Sequence, residues 1–529
     1  MRPVSCHYLP VRIAAKLRPV ALASVAGLAT LLVTPGTALA SPQPVTGSVT
    51  QVAGLNGCYT TAGSSTAGAG TCRNIRGGNG STSIVISPDG RSAYLVGYGF
   101  HNTSGVPVLS VFRRDGSTGV LHQLAGKKGC FSRDGSSEDG AGTCTNARNL
   151  DSGDAASLTI SRDGRFVYVA SQFELPGNVR VGGIAVFRRS LSDGSLHQLK
   201  GKLGCLSATG QSEDGPGTCA VARELDSVSN VHITPDQKYL YASVYDAPPH
   251  SGIAIFRRST ANGTLRQLKG KDGCVTDDGT TGQSGAMVVC RAMPNLGDPW
   301  DVATPDNRFA YVPDKSHNLV QAFRRNSAGG LVPVTGKGGC VSDTGASPLG
   351  AGTCVNGRGL ADVERAVLSK NKRFIYTNSF VNPAPIAVLN RSLLTGKLSQ
   401  RGGTAACVSR DGTSGDTTET CRNGRALSGG YAGVLAPNGR TLYFAEYGQS
   451  GNGNGLVIFR VAPKAGGFRQ LASTLGCVTA DGSSEDGAGT CATARAVGGA
   501  YQVALASGGR DVYLAAYGGD GVALFHATP

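Results

Sequence analysis

The sequence predicts an all-β fold: a single seven-bladed β-propeller of four-stranded antiparallel blades. Three observations carry this. Cysteine pairs recur at a fixed period. Short β-branched and aromatic runs alternate with Gly, Asp and Asn turns between them. An outer-strand motif stands alone at the start of the mature chain and is missing from its end.

The cysteine period is the first support. The leading cysteines are Cys58, Cys130, Cys205, Cys274, Cys340, Cys407 and Cys477, spaced 72, 75, 69, 66, 67 and 70 residues apart. Their partners are Cys72, Cys144, Cys219, Cys290, Cys354, Cys421 and Cys491, six at a separation of 14 and one at 16. A repeat of this length across nearly the whole chain marks a propeller, solenoid or array. Fourteen is an even count, which in an exported chain predicts disulfides. The equivalence of the units predicts that each pair closes its own loop. In the chain-entropy model such a loop of about 15 residues is stabilised by roughly 3 kcal/mol.

The strand pattern is the second. After Cys144 come "SLTIS", "RDGR", "FVYVAS", "GGIAVFRRS", "SDGS" and "LHQLKGKLGC". "RDGR" sets Asp-Gly between two apolar runs, a tight hairpin signal. "SPDGR", "TPDQK", "TPDNR", "SKNKR" and "APNGR" take its place in other units. The innermost strand is apolar on both faces ("SIVIS", "NVHIT"), as expected where blades pack face to face. Ring closure is the third. The chain ends in "GVALFHATP" with no outer strand after it, whereas "GSVTQVAGLNGC" near its start matches "LHQLAGKKGC". The N-terminal strand is therefore expected to complete the last blade beside Val522–Phe525, removing an open edge.

Residues 1–40 are expected to be a secretory signal peptide and residues 41–529 the propeller. Arg2, Arg12, Lys16 and Arg18 lead an apolar run from Val20 to Val33, and Ala38-Leu39-Ala40 is a cleavage pattern. That run is about 14 residues, too short to span a bilayer, so no membrane span is expected. The segment carries four positive charges and no acid, so the net +15 falls to +11 in the mature chain. The basic residues are dispersed, with no aromatic-basic interleaving, which argues against a nucleic-acid partner. The expectation is a secreted monomer, extracellular or at the cell envelope.

Zinc does not fit the cysteine spacing, and no C-x-x-C occurs. No cofactor and no metal ligands are assigned. Calcium is the one ion the loops bring to mind, because Asp134, Glu138 and Asp139 recur as Asp481, Glu485 and Asp486, and in part as Glu213 and Asp214. The fifth and sixth loops lack the Glu-Asp pair, and solvated turn residues are the preferred reading. An arginine stands four residues after the second cysteine in six units: Arg76, Arg148, Arg223, Arg358, Arg425 and Arg495. Arg148 and Arg223 are carried as ligand-binding candidates that reach the channel mouth to grip a carboxylate or phosphate. The competing reading is that each brace fixes its own loop.

"SPDGRSAYLV" followed by "VLSVFRRDGSTGVLHQL" resembles the lactonase family of seven-bladed propellers, which includes 6-phosphogluconolactonases and the fungal 3-carboxymuconate cyclases. The resemblance covers all seven units. Its closest local match is "DPWDVATPDNRFAYVPDKSHNLVQAFRR", Asp298 to Arg325. Asp314 matches the aspartate of the family's turn after the second strand. Pro299-Trp300 occupies the region of the family's histidine, and Lys315-Ser316 replaces the rest of that turn. The resemblance implies an activity that hydrolyses or forms a lactone of a small carboxylic acid.

Function in a repeat sits where the repeat is broken. Lactone chemistry needs a group to activate water and cations to hold the acid product. His232, Asp301, Glu364 and Arg365 form the candidate catalytic constellation. Trp300, Asp314 and Glu446 join Arg148 and Arg223 as candidate ligand-binding residues. Each has a plainer alternative: His232 buried between blades, Asp301 capping a turn, Trp300 packing, Glu364 and Arg365 as a local ion pair. Two functional readings follow. One is an exported enzyme acting on a small carboxylate or lactone. The other is a non-catalytic scaffold for an extracellular or envelope partner.

Overall fold

The computed structural model describes residues 45–98, 107–150, 157–175, 179–245, 251–281, 287–414, 421–448, 454–506 and 508–529. The expected signal peptide lies outside them. All that is described belongs to one compact unit, Pro44–Pro529, and it is a seven-bladed β-propeller with one sheet per blade.

Blade 1 shows the plan. Ser81–Ile86, Ser92–Gly97 and Val108–Arg114 form an antiparallel meander in the register Ile84↔Leu95 and Leu95↔Ser110. The hairpin turn is closed by Ser87, whose hydroxyl donates to Asp89 at 2.5 Å, and by Gly90 at φ +69°. That φ suits glycine because no Cβ meets the carbonyl.

The outer strand differs from the single fourth strand expected. It is broken in two. Leu121–Gln123 pairs with one end of the third strand; a 3-10 turn, Gly126–Gly129, follows; Cys130–Ser132 then pairs with the other end. Thr145–Asn146, just past Cys144, adds a short parallel strand beyond it. The cysteine loop therefore extends the outer edge of the blade. All seven disulfides are intra-loop, with Cα–Cα distances of 4.8 to 4.9 Å.

Blades are joined by side chains as well as by packing. The tyrosine in the second strand of every blade is fully buried. Its hydroxyl donates to a glycine carbonyl in the turn of the next blade: Tyr94 to Gly194 at 2.7 Å, Tyr241 to Gly329 at 3.0 Å, Tyr513 to Gly119 at 2.5 Å. Tyr443 of blade 6 reaches Gly47, at the N-terminal end of the unit, at 2.9 Å. Val49–Gln51 and Cys58–Thr60 both pair with the last strand, Gly521–Ala527, in the register Val49↔Ala527 and Cys58↔Ala523.

Blade 4 breaks the pattern. Its innermost segment forms no regular strand and meets the second strand in isolated bridges at Pro299↔Asp314 and Ala303↔Tyr311. Five other inner strands carry a one-residue register shift near their start. Blade 4 is a residue short there and is flanked by Pro299 and Pro305, which have no N–H for a ladder.

Candidate functional site

The inner strands surround a cavity of about 150 Å³ lined by residues of all seven blades. One position governs its wall. Two residues before the partner of each second-strand tyrosine, the same register position on the seven strands holds Ser83, Ser157, Asn230, Asp301, Arg365, Ala432 and Gln502.

Over most of the ring these side chains stitch one blade to the next. Gln502 Oε1 accepts from Ser83 Oγ at 2.8 Å and from Ile84 N at 2.6 Å. Ser83 Oγ accepts from Leu158 N at 3.3 Å, and Ser157 Oγ from Val231 N at 3.3 Å. Ser157 Oγ donates to Asn230 Oδ1 at 2.7 Å, and Asn230 Nδ2 donates to Asp301 Oδ1 at 2.9 Å. Asp301 Oδ1 also accepts from Val302 N at 2.8 Å, and its Oδ2 from Ala366 N at 3.2 Å. This belt runs from blade 7 through blades 1, 2, 3 and 4 to blade 5.

The belt then stops. Arg365 and Ala432 hold the next two positions, and neither side chain has a hydrogen-bond acceptor to offer Gly433 or Val503, the counterparts of Ile84 and Leu158. Gly433 and Arg365 both line the cavity. The Arg365 guanidinium donates to the Trp300 carbonyl and lies 5.7 Å from the Trp300 ring centroid.

Aromatic side chains collar the same arc. Tyr245 stacks on Trp300 at 4.7 Å, and Tyr431 on Tyr501 at 3.9 Å with their hydroxyls 3.1 Å apart. Phe380, Tyr447 and Tyr517 fill between them, and Tyr98 closes on Tyr517 at 5.7 Å. Lys315 sits between Phe380 and Trp300, 4.7 and 5.3 Å from their centroids. Its Nζ bonds Glu364 at 2.8 Å and lies 3.8 Å from Asp362.

The sequence candidates divide between these layers. Trp300, Asp301 and Arg365 meet at the cavity. His232 lies one layer deeper on its strand, its Nε2 2.6 Å from Thr304 Oγ1. Burial lowers its pKa against the pull of Asp301, so the ring is neutral at neutral pH. Glu364 is adjacent to Arg365 on a strand and so takes the opposite face. It is fully buried, and burial pushes its carboxyl up to about 7 in spite of Lys315. Asp298 rises to about 6, through burial and then the nearby Asp314 charge.

Four ligand-binding candidates lie elsewhere. Asp314 is fully buried and committed to its own turn: it accepts from Asp298 N at 2.8 Å, His317 N at 3.1 Å and Ser316 Oγ at 3.2 Å, with His317 Nδ1 at 2.9 Å. Glu446 is fully buried, accepting from Ser428 N at 3.1 Å. Arg148 and Arg223 do not reach the channel. Arg148 donates to the Gly201 carbonyl at 2.9 Å, and Arg223 to Gly270 at 3.1 Å and Val289 at 3.0 Å. Each also exchanges backbone bonds with a glutamine, as Arg148 N to Gln198 Oε1 at 3.0 Å and Gln198 Nε2 to Arg148 O at 2.7 Å. The clamp fixes the 3-10 turn of the outer strand, so repetition served the ring. The loop acids behave likewise. Glu138 accepts from Gly77 N at 2.6 Å and Glu213 from Asn149 N at 2.9 Å, while Asp134 accepts from Ser136 N at 2.9 Å. Each gives at least one oxygen to a backbone donor, and among the described residues no three such side chains come together to hold a metal ion.

Sequence reasoning missed the belt as a device. Aligning the units on the strand register against the second-strand tyrosine exposes it, because polar residues recur at one position and fail at Arg365 and Ala432. It also missed Tyr245, Phe380, Tyr447 and Tyr517, which follow the second strands and have no spacing relation to Trp300.

No protein-family model and no curated protein sequence matches the chain. Solved structures similar to it include the periplasmic gluconolactonase PpgL of Pseudomonas aeruginosa, at 17% identity over 74% of this chain and 83% of that chain, TM-score 0.44. A hydrazine synthase of Kuenenia stuttgartiensis is similar at 12% identity over 85% and 96%, TM-score 0.42. The WD40 repeats of RRP9 are similar at 8% over 85% and 95%, TM-score 0.43. Likeness at this level runs across proteins of unrelated names and carries no argument about chemistry.

Proposed function

We propose that this is an exported, lactonase-like propeller whose channel mouth binds a small carboxylic acid or its lactone. The observation that carries the reading is the break in the belt. At that break a guanidinium lines the cavity, beside two strand positions that receive no acceptor from the preceding blade. A carboxylate supplies the acceptors that Arg365 and Ala432 do not, and an arginine fork suits it by geometry. The cavity holds about five water volumes, the scale of a small organic acid. The expected signal peptide and the seven disulfides support an oxidising, extracytoplasmic setting.

Calorimetric titration of the mature protein with a panel of sugar acids and their lactones tests this. At least one acid is expected to bind, with affinity lost in Arg365→Ala. A panel that binds wild type and variant alike contradicts the reading.

A hydrolytic role has one observation in its favour: His232 is held neutral, able to accept a proton, within the field of Asp301. Asp301 itself has its oxygens bound to Asn230, Val302 and Ala366, so His232 is the base on this reading. Lactone turnover in wild type that survives unchanged in His232→Gln removes it.

A further inference from the structure

We propose that the face opposite the cysteine loops is a docking surface for an anionic lipid bilayer. Each inner strand is entered from the cysteine-loop side and left through its hairpin turn, so the seven hairpin turns share the opposite face. Every one of them carries a cation at the same position: Arg91, Arg165, Lys238, Arg308, Arg373, Arg440 and Arg510. Arg165 is half-buried and the other six are exposed. One position in seven equivalent blades falls on one plane normal to the ring axis, so the charges form a flat ring.

The turn acids do not cancel it. Asp89 pairs with Arg189 of the next blade at 2.9 Å, and Asp236 with Arg325 at 2.7 Å. Asp306 pairs with Arg391. Asp511, the first residue of the second strand of blade 7, is shared between Arg114 and the ring's own Arg510, 3.1 Å from the latter. Of the cross-blade partners, Arg189, Arg391 and Arg114 are buried and Arg325 is half-buried. Blades 5, 6 and 7 carry Asn371, Asn438 and Gly508 where the other four have the acid. Against the exposed ring stand Asp115, Asp163 and Asp193. Further exposed cations, Arg113, Arg188, Arg257, Arg324 and Arg460, end the third strands on the same side.

A second feature separates a bilayer from a soluble polyanion. The turns after the third strands lie on this face too, and they expose leucines: Leu191 at 51%, Leu393 at 40% and Leu394 at 76%. The Leu394 carbonyl accepts from the Arg308 guanidinium at 2.9 Å, which puts these side chains beside the charged ring. Exposed leucines among coplanar cations match the boundary of headgroups and acyl chains. A dissolved acidic polymer offers the leucines nothing. The surface is independent of the channel site.

The test is co-sedimentation of the mature protein with vesicles of phosphatidylcholine alone or of phosphatidylcholine with phosphatidylglycerol. Binding is expected only to the anionic vesicles and is lost in high salt. Lys238→Glu/Arg373→Glu/Arg440→Glu is expected to weaken it by more than about 100-fold, at about five-fold or more per cation. A control of equal charge change on the outer 3-10 turns, Lys127→Glu/Lys202→Glu/Lys271→Glu, is expected to retain most of it. Leu393→Ser/Leu394→Ser, which keeps the charge, is expected to weaken vesicle binding as well. Thermal unfolding confirms that each variant is folded. Absence of binding to anionic vesicles overturns the proposal. So does equal loss in both charge variants, which means net charge alone, or binding to soluble polyglutamate that matches the vesicles and ignores the leucines.

Discussion

The wall of the channel has two arcs built on one plan. From blade 7 round to blade 5, polar side chains at one register position bond each inner strand to the next, and the ring is closed there by chemistry as well as by packing. Between blades 5 and 7 the same position holds Arg365 and Ala432, and the wall is left with donors and an aromatic collar. The strands, turns and blade contacts are alike in both arcs. What differs is whether the belt residue can accept a hydrogen bond. The stitched arc is a structural device, and the open arc is the proposed ligand site.

This contrast is open to attack from both sides. The largest expected effect is in the stitched arc. Asp301→Ala strips acceptors from Asn230 Nδ2, Val302 N and Ala366 N and is expected to cost about 3 kcal/mol in urea denaturation, since unsatisfied buried donors cost more than a bond yields. In the open arc, Arg365→Ala is expected to weaken carboxylate binding by about 2 kcal/mol, roughly 30-fold in calorimetry, with little loss of stability. Gln502→Ala leaves Ile84 N and Ser83 without their acceptor and is expected to cost about 1.5 kcal/mol without touching binding at Arg365. Ala432→Ser restores an acceptor toward Val503. It is expected to raise stability by about 0.5 kcal/mol and to weaken the ligand, the two readouts moving in opposite directions.

The smallest effect is a pH profile, in which two buried groups oppose each other. His232 has a folded pKa below its ordinary 6.5, so the unfolded chain takes its proton first and stability falls as pH drops below about 6.5. Glu364 has a folded pKa raised from 4.5 to about 7, so the unfolded chain ionises first and stability falls as pH rises through that window. Chemical denaturation across this range is expected to show His232→Gln flatter on the acid side and Glu364→Gln flatter toward neutrality.

Much of the fold was legible because a propeller writes itself seven times. Cysteine spacing and Asp-Gly turns placed blades, hairpins and disulfides. The split outer strand was not legible, since a 3-10 turn in "AGKKG" and a strand continuing through Cys130 look like one run. The candidate site was legible only in part. Trp300, Asp301 and Arg365, which line the cavity, stood out because they break the repeat. Asp314 and Glu446 also looked exceptional, but side-chain direction and burial, which one sequence does not carry, turned them away from the cavity. Arg148 and Arg223 failed for the opposite reason: they were too regular, and regularity here marks a brace.

The central claim is that the break in the belt is the binding site. Its most direct test is a crystal structure of the mature protein grown with the tightest-binding acid from the titration panel. The account predicts a carboxylate on the Arg365 guanidinium, within hydrogen-bond distance of Gly433 N or Val503 N and beneath the rings of Trp300 and Tyr431. An acid seated on the stitched arc, or outside the channel with Arg365 untouched, contradicts it.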